Sequence, residues 1–447
     1  MKVIHIPFCF YPDPVGGTEV YVESLARRLQ KRGVQTIVCA PAQQDASYGH
    51  EGLPVRRFSV SKTIADLSDL YAEGDPQAAF AFSHILEEER PHVVHLHAFT
   101  YGVSLRLVQE TKRRGIPVVF TYHTPTVSCQ RGTLIRWGKE ACDGTLNLDL
   151  CSRCTLHGLG LPRGLADVVG RAPVAIGNAL GMIHLSGGVW TALRMRELVA
   201  ARHKAVRALM TEADHIVALC KWVQDLLVRN DVPPEKITLS RQGLAQEVDR
   251  EVRIQKGDSQ SSVHDLYSPL RMIFLGRLDP TKGPHVLIQA IRMSPHLSVS
   301  LDIYGVVQGE DSAVYLQGLQ KLVGNDPRIV FHTAVSADKV VECLRGYDLL
   351  AVPSQWLETG PMVILEAFAA GIPVLGSRLG GIAELVEHGV NGLLVEPASV
   401  EAWRRELQKL CEDRGLLVRL STAIRPPRTM ATVAEEMMKL YEKLSVS

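Results

Sequence analysis

Two glutamates, an arginine and a lysine stand where a chain could grip a diphosphate joined to a sugar diol. In Glu358-Thr-Gly-Pro-Met-Val-Ile-Leu-Glu366, a polar turn runs into an apolar stretch with helix-forming residues. Pro361 suits the first turn of a helix, where its missing N–H costs nothing. Gly360 lets a ligand approach the backbone. The N–H groups of Met362 and Val363 would then face out of a positive helix end, which attracts anions. Glu358 precedes that helix. Glu366 lies in its second turn, where a carboxylate can accept two hydrogen bonds from a ribose diol. Glutamates at this spacing are common by chance, and the competing reading is a solvated helix charge. The apolar neighbours of Glu366 weigh against it, since a carboxylate without a partner is costly there.

A second stretch, Phe274-Leu-Gly276-Arg277-Leu-Asp-Pro-Thr-Lys282-Gly283, reads as a strand end followed by two cations. Arginine offers a bidentate fork and lysine a point charge, a pairing that suits a diphosphate. Alone, such residues are more often surface charges. Their weight comes from agreement with the glutamate stretch. A third, Asp13-Pro-Val-Gly16-Gly17-Thr18-Glu19, opens a helix with tandem glycines. It departs from the dinucleotide G-x-G-x-x-G pattern and reads either as a loop closing over phosphate or as a flexible turn. His95, His97 and His123 sit at strand ends, where a lone histidine is more often structural. Cys129, Cys142, Cys151 and Cys154 are spaced C-x12-C-x8-C-x2-C in a polar, glycine-containing segment. Four thiolates with a C-x2-C pair suit structural zinc first, an iron–sulfur cluster second, and otherwise free or redox thiols. His157 is a spare ligand.

These residues need a scaffold. At 447 residues the chain predicts two domains of roughly 200 residues each. With 46% hydrophobic and 22% charged residues, each half can bury a core. Lys plus Arg is 49 against 48 for Asp plus Glu, a net charge of +1 that argues against a nucleic-acid binder. The N-terminus shows no secretory signal, so a cytoplasmic setting is expected, and nine cysteines there do not suggest a disulfide framework. Short apolar runs at Val3–Ile6, Val34–Ala40, Pro91–Leu96, Ile116–Tyr122 and His215–Leu219 alternate with helical patterns such as Glu19–Gln30. A second set runs through Met272–Leu275, Ser298–Tyr304, Ile329–His332, Leu349–Pro353, Pro373–Gly376 and Gly392–Val395. Such alternation predicts an α/β protein with two doubly wound, Rossmann-like domains, whose ligands bind beyond the strands' carboxyl ends in the cleft between them. The predicted divisions are 1–250, with a cysteine-rich insertion at 125–160 and an apolar segment at 161–200; a polar linker at 251–269; 270–427; and a terminal helix at 428–447. That helix carries Val433, Met437, Leu440, Tyr441 and Leu444 on one face, a core stripe.

Ala172–Leu193 contains no Asp, Glu, Lys or Arg and is long enough to span a bilayer. Its glycines, Asn178 and Pro173 argue against spanning. A buried or interdomain helix is the plainer reading. A surface dipping into a membrane interface, with Arg171, Arg194 and Arg196 at its ends, is the other.

Gly16-Gly17, the GRLDPTKG stretch, the Glu358 to Glu366 spacing and Gly380-Gly381 together resemble the family 4 glycosyltransferases of the GT-B fold, over nearly the whole chain. The resemblance implies retaining transfer of a sugar from a UDP- or GDP-sugar without a catalytic metal. It implies that Arg277 and Lys282, with Gly360, Met362 and Val363, hold the diphosphate, that Glu366 binds the ribose, and that Glu358 lies by the donor sugar. It implies that Gly16 and Gly17 approach the diphosphate from the other domain, and that the last helix returns to the N-terminal domain. A histidine at the position of His123 contacts donor sugar and phosphate in that family, and one near His97 lies towards the acceptor. No enzymic nucleophile is evident, which fits a front-face mechanism in which the leaving phosphate takes the acceptor's proton. The cysteine segment would flank the acceptor side. The expected acceptor is a polysaccharide or other glycan, a lipid-linked glycan or a small metabolite. A polyprenyl-linked acceptor would account for the 172–193 stretch and place the enzyme at the inner face of the membrane. Departures at Val307 and at Phe331-His332-Thr333 fall on the base site and leave the nucleotide open. A nucleotide-sugar 2-epimerase of the same architecture and a non-catalytic nucleotide-sugar-binding scaffold are the alternatives.

Overall fold

The computed structural model describes residues 1–14, 16–64, 67–185, 187–245 and 268–445. It divides into two compact units, 1–241 with 430–447, and 242–429. The expected linker at 251–269 lies almost wholly outside the described residues.

The first unit is built on an eight-stranded sheet ordered β10-β9-β6-β5-β1-β2-β4-β3. Its strands are β1 (Lys2–Ile6), β2 (Gln35–Ala42), β3 (Ala46–His50), β4 (Leu53–Ser59), β5 (Val93–Leu96), β6 (Val118–Tyr122), β9 (His215–Ala218) and β10 (Ile237–Leu239). The small hairpin of β7 (Ile135–Arg136) and β8 (Glu140–Ala141) stands apart. In β1, Val3, Ile4 and Ile6 are fully buried. Consecutive buried aliphatics of this kind mark a parallel strand covered on both faces. The β3–β4 hairpin is antiparallel and escaped the sequence reading. It turns on Glu51 and Gly52, both at positive φ (45° and 85°). That is the twist a two-residue hairpin turn needs, but without the Asn-Gly or Asp-Gly signature.

Helix α1 (Gly17–Gln30) covers the sheet and packs against the terminal helix (Met430–Ser445). The stripe expected on that last helix is the buried face: Val433, Met437 and Tyr441 are fully buried against Tyr21, Val22, Leu25 and Leu29 of α1. Each such side chain contributes roughly 1.5–3 kcal/mol by leaving water.

The apolar 172–193 stretch is not a buried helix. It forms α6 (Val174–Met182), a turn, and the start of the long α7 (Gly188–Glu212). A Cβ on Gly177 would lie 2.6 Å from Glu197 Cβ, and one on Gly181 2.9 Å from Arg194 Nη2. The glycine edge of α6 therefore seats on α7 and turns the larger side chains outward. Met182 and Ile183 are 79% and 64% exposed. Arg194, expected at the rim, is instead buried and paired with Glu197 at 3.1 Å. Among the described residues, no helix is long and apolar enough to cross a membrane.

The second unit has a six-stranded, all-parallel sheet ordered β13-β12-β11-β14-β15-β16. The strands are β11 (Leu270–Arg277), β12 (Val299–Val306), β13 (Ile329–His332), β14 (Leu349–Val352), β15 (Val374–Ser377) and β16 (Gly392–Val395). Helices Pro284–Arg292 and Val400–Glu412 cover one face, with Trp403 fully buried. Met362–Ala370 covers the other.

Candidate active site

β11 and β14 are neighbours in the second sheet, so the loops that follow them start side by side. The Asp279 side chain caps its own loop by accepting from Thr281 N at 2.8 Å. Gln355 N donates to Thr281 O at 2.6 Å, tying the two loops together. Gly283, at φ 72°, makes that closeness possible: a Cβ there would stand 2.0 Å from Pro353 O. The result is a buried ion pair. Lys282 Nζ lies 2.6 Å from Glu358 Oε1, which also accepts from Ser354 Oγ at 2.8 Å. Burial works against charge on Glu358, but the Lys282 ammonium and the hydrogen bonds around the carboxylate outweigh it and hold it below the usual carboxylate range. Lys282 Nζ also stands 5.3 Å from the ring centre of Trp356.

Behind this pair, Gly381 N donates to Glu358 O at 2.6 Å. A Cβ on Gly381 would fall 2.5 Å from Gly360 N, so only glycine lets this turn support the Glu358–Gly360 turn. Pro361 is the N-cap of the Met362–Ala370 helix rather than its first residue. Met362 and Val363 open that helix, where N–H groups lack intrahelical acceptors. Glu366 follows on its second turn, half-buried, with no hydrogen bond or ion pair among the described residues, and burial pushes it up to about 7. Arg277, at the end of β11, is exposed and equally without a side-chain partner among them. The structure thus brings Lys282, Glu358, Gly360 and Gly381 into one network. Arg277 and Glu366 lie outside it with their polar groups uncommitted.

Asp302 and Tyr304 on β12 and His332 on β13, the stretches expected at the base site, form a cluster with Tyr347 ahead of β14, whose part the sequence did not suggest. His332 Nε2 and Tyr347 OH both reach the Asp302 carboxylate, at 2.7 and 2.9 Å, and His332 stacks on Tyr304 at 4.6 Å between ring centres. Asp302 and Tyr304 alternate along β12 and so share a face.

In the first unit, Gly16 is the N-cap of α1, and its N–H donates to Glu19 Oε2 at 2.8 Å. Gly17 is the first helical residue. The buried Glu19 is a residue the sequence reading passed over, although Gly-x-x-Glu is a reduced form of the capping-box pattern.

The strand-end histidines form a hydrogen-bonded file with a member the sequence did not suggest, His5 on β1. His5 Nδ1 lies 3.1 Å from His97 Nε2, and His97 Nδ1 lies 3.0 Å from His123 Nε2. His95 stands beside it, bonded to Tyr441 OH at 2.6 Å and Thr121 Oγ1 at 2.7 Å. All four are buried, and burial lowers each, His5 and His123 to about 3. The rings are therefore neutral, and each carries one N–H. His5 Nε2 has no partner. The file can run in either direction, with the outer N–H carried at His5 Nε2 or at His123 Nδ1. His5, His95 and His97 place ligand atoms within 4.8 Å of one another, a spacing open to a cation. Both nitrogens of His95 and of His97 are already engaged, which disfavours one. The four cysteines expected to bind metal all line one cavity of about 30 Å³, away from the histidines.

Comparison with known proteins agrees with this arrangement. The family profile described as glycosyl transferase 4-like domain matches residues 16–242, and that of glycosyl transferases group 1 matches 260–425. The D-inositol 3-phosphate glycosyltransferase of Xylanimonas cellulosilytica is 27% identical over 413 residues, 92% of this chain and 87% of that protein. That of Stackebrandtia nassauensis is 26% identical over 429 residues, 91% and 81%. Sucrose-phosphate synthase from Thermosynechococcus elongatus shares the fold with a TM-score of 0.67 at 17% identity, covering 99% of both chains. Anabaena HepE in complex with UDP does so with a TM-score of 0.63 at 18% identity, covering 99% of this chain and 100% of that one. A putative UDP-N-acetylglucosamine 2-epimerase from Listeria monocytogenes aligns less closely, with a TM-score of 0.54 at 15% identity, over 98% and 94%. Two doubly wound units, each matched by its own family profile in chain order, make this protein a member of the family 4 glycosyltransferases, with the GT-B fold.

Proposed function

We propose that the protein transfers a hexose from a UDP- or GDP-sugar to a lipid-linked glycan acceptor with retention of anomeric configuration. The observation that carries the donor half is the set at the carboxyl ends of β11 and β14: a free Arg277, a Lys282–Glu358 pair, a helix start and an unpartnered Glu366. Arg277, Lys282 and the N–H groups of Met362 and Val363 take the diphosphate; Glu366 takes the ribose diol; Glu358 faces the sugar. Gly16 and Gly17 at the start of α1 contribute to the diphosphate contact. His123 hydrogen-bonds the donor as the sugar–phosphate bond breaks, and His97, 3.0 Å from it, supports it. The leaving phosphate accepts the acceptor's proton, so no metal ion is needed for the transfer step. The Asp302–His332–Tyr347 cluster sits where the base is read.

The donor is tested by thermal shift with UDP, GDP, ADP and their hexose conjugates. A ligand at a hundred times its Kd stabilises the fold by about 2.7 kcal/mol, so one nucleotide series is expected to raise Tm clearly above the others. No shift with any of them would count against nucleotide-sugar binding, and so against the transfer proposed here. Interconversion of a nucleotide sugar without an acceptor would instead favour the 2-epimerase.

The lipid-linked acceptor rests on the exposed side chains between 159 and 190. Leu159, Leu165, Val168, Met182, Ile183 and Val189 are each more than half exposed, with Arg171 exposed among them. Exposed aliphatics with an arginine among them suit an anionic membrane surface. Cosedimentation with vesicles containing an anionic phospholipid is expected, and Met182→Ser/Ile183→Ser should weaken it about tenfold. Equal binding by the double variant would remove the membrane from the proposal. A small phosphorylated polyol is the second reading of the acceptor, favoured by the names of the full-length relatives.

A further inference from the structure

The insertion after β6 takes no part in the proposed transfer, yet it gathers four cysteines from three separate elements. Cys129 follows the turn in which Ser128 Oγ meets Tyr122 OH at 2.7 Å. Cys142 leaves the β7–β8 hairpin, its N–H bonded to Leu134 O at 2.7 Å. Cys151 and Cys154 are three apart on the helix Leu148–Gly158 and so share one side. All four line the same cavity of about 30 Å³. That is room for about two or three water-sized bodies.

Cys142 Sγ lies 3.9 Å from Asp143 Oδ1 and Cys151 Sγ 4.0 Å from Thr145 O, whereas Cys154 is met by donors. Trp137 N–H donates to Cys154 Sγ at 3.4 Å, and the Arg131 guanidinium reaches the same sulfur at 4.0 Å. Trp137 holds φ at 56°, a left-handed conformation that costs a bulky residue about 1–3 kcal/mol and persists only where something fixes it. Arg136 stands beside Cys142. Four thiolates around a dication leave two negative charges; Arg131 offsets part of them, while Arg136 is shared with Asp143 at 3.6 Å.

The local core is thin. Leu156, Ala166, Met195 and Val199 are its fully packed members, and the hairpin strands are two residues each. Among the described residues the group already spaced to hold an ion is His5, His95 and His97, not these cysteines. A tetrahedral zinc site with Zn–S near 2.3 Å sets its sulfurs about 3.8 Å apart. Binding would therefore draw the hairpin and the helix together around the ion.

We propose that Cys129, Cys142, Cys151 and Cys154 bind a single Zn²⁺ as a closed tetrathiolate site. The ion fixes the insertion and, through Cys129 and the Ser128–Tyr122 contact, the segment that leaves His123. Binding releases any thiol protons to solvent and involves no redox change.

Elemental analysis of the full-length protein, purified without chelator, is expected to give about one zinc per chain. Replacing zinc with Co²⁺ should give intense thiolate-to-metal charge-transfer absorption. Cys151→Ser/Cys154→Ser should lose at least about tenfold of the zinc, whereas Cys343→Ser, outside the cavity, should retain it. If the double variant does not fold, titrating the native protein with an organomercurial should release the zinc as the four thiols react. Absence of zinc after reconstitution, full retention in the folded double variant, iron with labile sulfide, or disulfides among the four cysteines in freshly isolated protein would each overturn the proposal.

Discussion

Lys282→Ala is expected to lower transfer about a thousandfold and to destabilise the second unit as well, while Arg277→Ala lowers transfer without touching the fold. The contrast follows from their settings. Lys282 has two tasks. Its ammonium is one of the charges assigned to the diphosphate, and removing a preorganised donor at developing charge typically costs 10²–10³-fold. It is also the 2.6 Å partner of Glu358, whose side chain is only 8% exposed. Removing one member of a buried pair leaves the other charge uncompensated, at about 3–5 kcal/mol. Glu358 would recover part of that by taking up a proton, since burial already works against its charge. Arg277 is exposed and, among the described residues, forms no ion pair that its loss could orphan. Its removal should therefore appear in KM for the donor and in kcat, with Tm unchanged. The double variant Lys282→Ala/Glu358→Gln should regain most of the lost stability and none of the activity. Measuring Tm and single-turnover transfer on all three variants separates the two tasks. A Lys282→Ala protein with full activity would remove the lysine from the donor site. One with lost activity but unchanged Tm would show that the ion pair contributes nothing to the fold.

How much of this was legible beforehand depended on whether the signal was local. The strands β1, β6, β11 and β14 each hold a run of consecutive buried residues, mostly apolar, and such a run announces a strand whatever surrounds it. The Lys282–Glu358 pair joins residues 76 apart in sequence. Each was singled out for its own stretch, but their meeting depends on β11 and β14 being neighbours, which no local pattern encodes. His5 was missed for the same reason. It sits inside an ordinary strand run, and only the order β6-β5-β1 places it against His97. The 172–193 stretch misled in the opposite way. Its hydropathy was read as burial, whereas its glycines face α7 and its aliphatics face solvent. Average hydropathy does not distinguish a helix that buries its small residues from one that buries its large ones. The edge hairpin β3–β4 is polar on its outer side and turns on Glu51-Gly52, so neither its pattern nor its turn stood out.

Glu366 leads to the second large effect, on binding as a function of pH. Its carboxyl is pushed up to about 7 by burial alone, against an ordinary value of 4.5. The folded chain thus holds a proton there between about 4.5 and 7 that the unfolded chain releases, so stability falls as pH rises through that window and is level above it. The shift corresponds to about 3 kcal/mol. Glu366→Gln carries no such proton and should be more stable than the natural protein at pH 8, with the gap closing by pH 4. Function runs the other way. A ribose diol donates both its protons and is best met by the ionised carboxylate, through charge-assisted bonds of about 1.5–3 kcal/mol each. Donor affinity should therefore weaken about tenfold per pH unit below 7, with one proton released per donor bound, and Glu366→Gln should bind about a hundredfold more weakly at pH 8 with that dependence gone. Calorimetric titration with the nucleoside diphosphate at pH 6 and pH 8, in two buffers of different ionisation enthalpy, reads affinity and proton release together. If the variant binds as tightly as the natural protein and keeps its pH dependence, the ribose is held elsewhere. If it gains stability but keeps its affinity, Glu366 is a buried acid without a ligand. Loss of affinity together with gained stability is the outcome that burial of an unpartnered carboxylate beside a helix start predicts. A fold that served only its own stability would have a neutral side chain at this position.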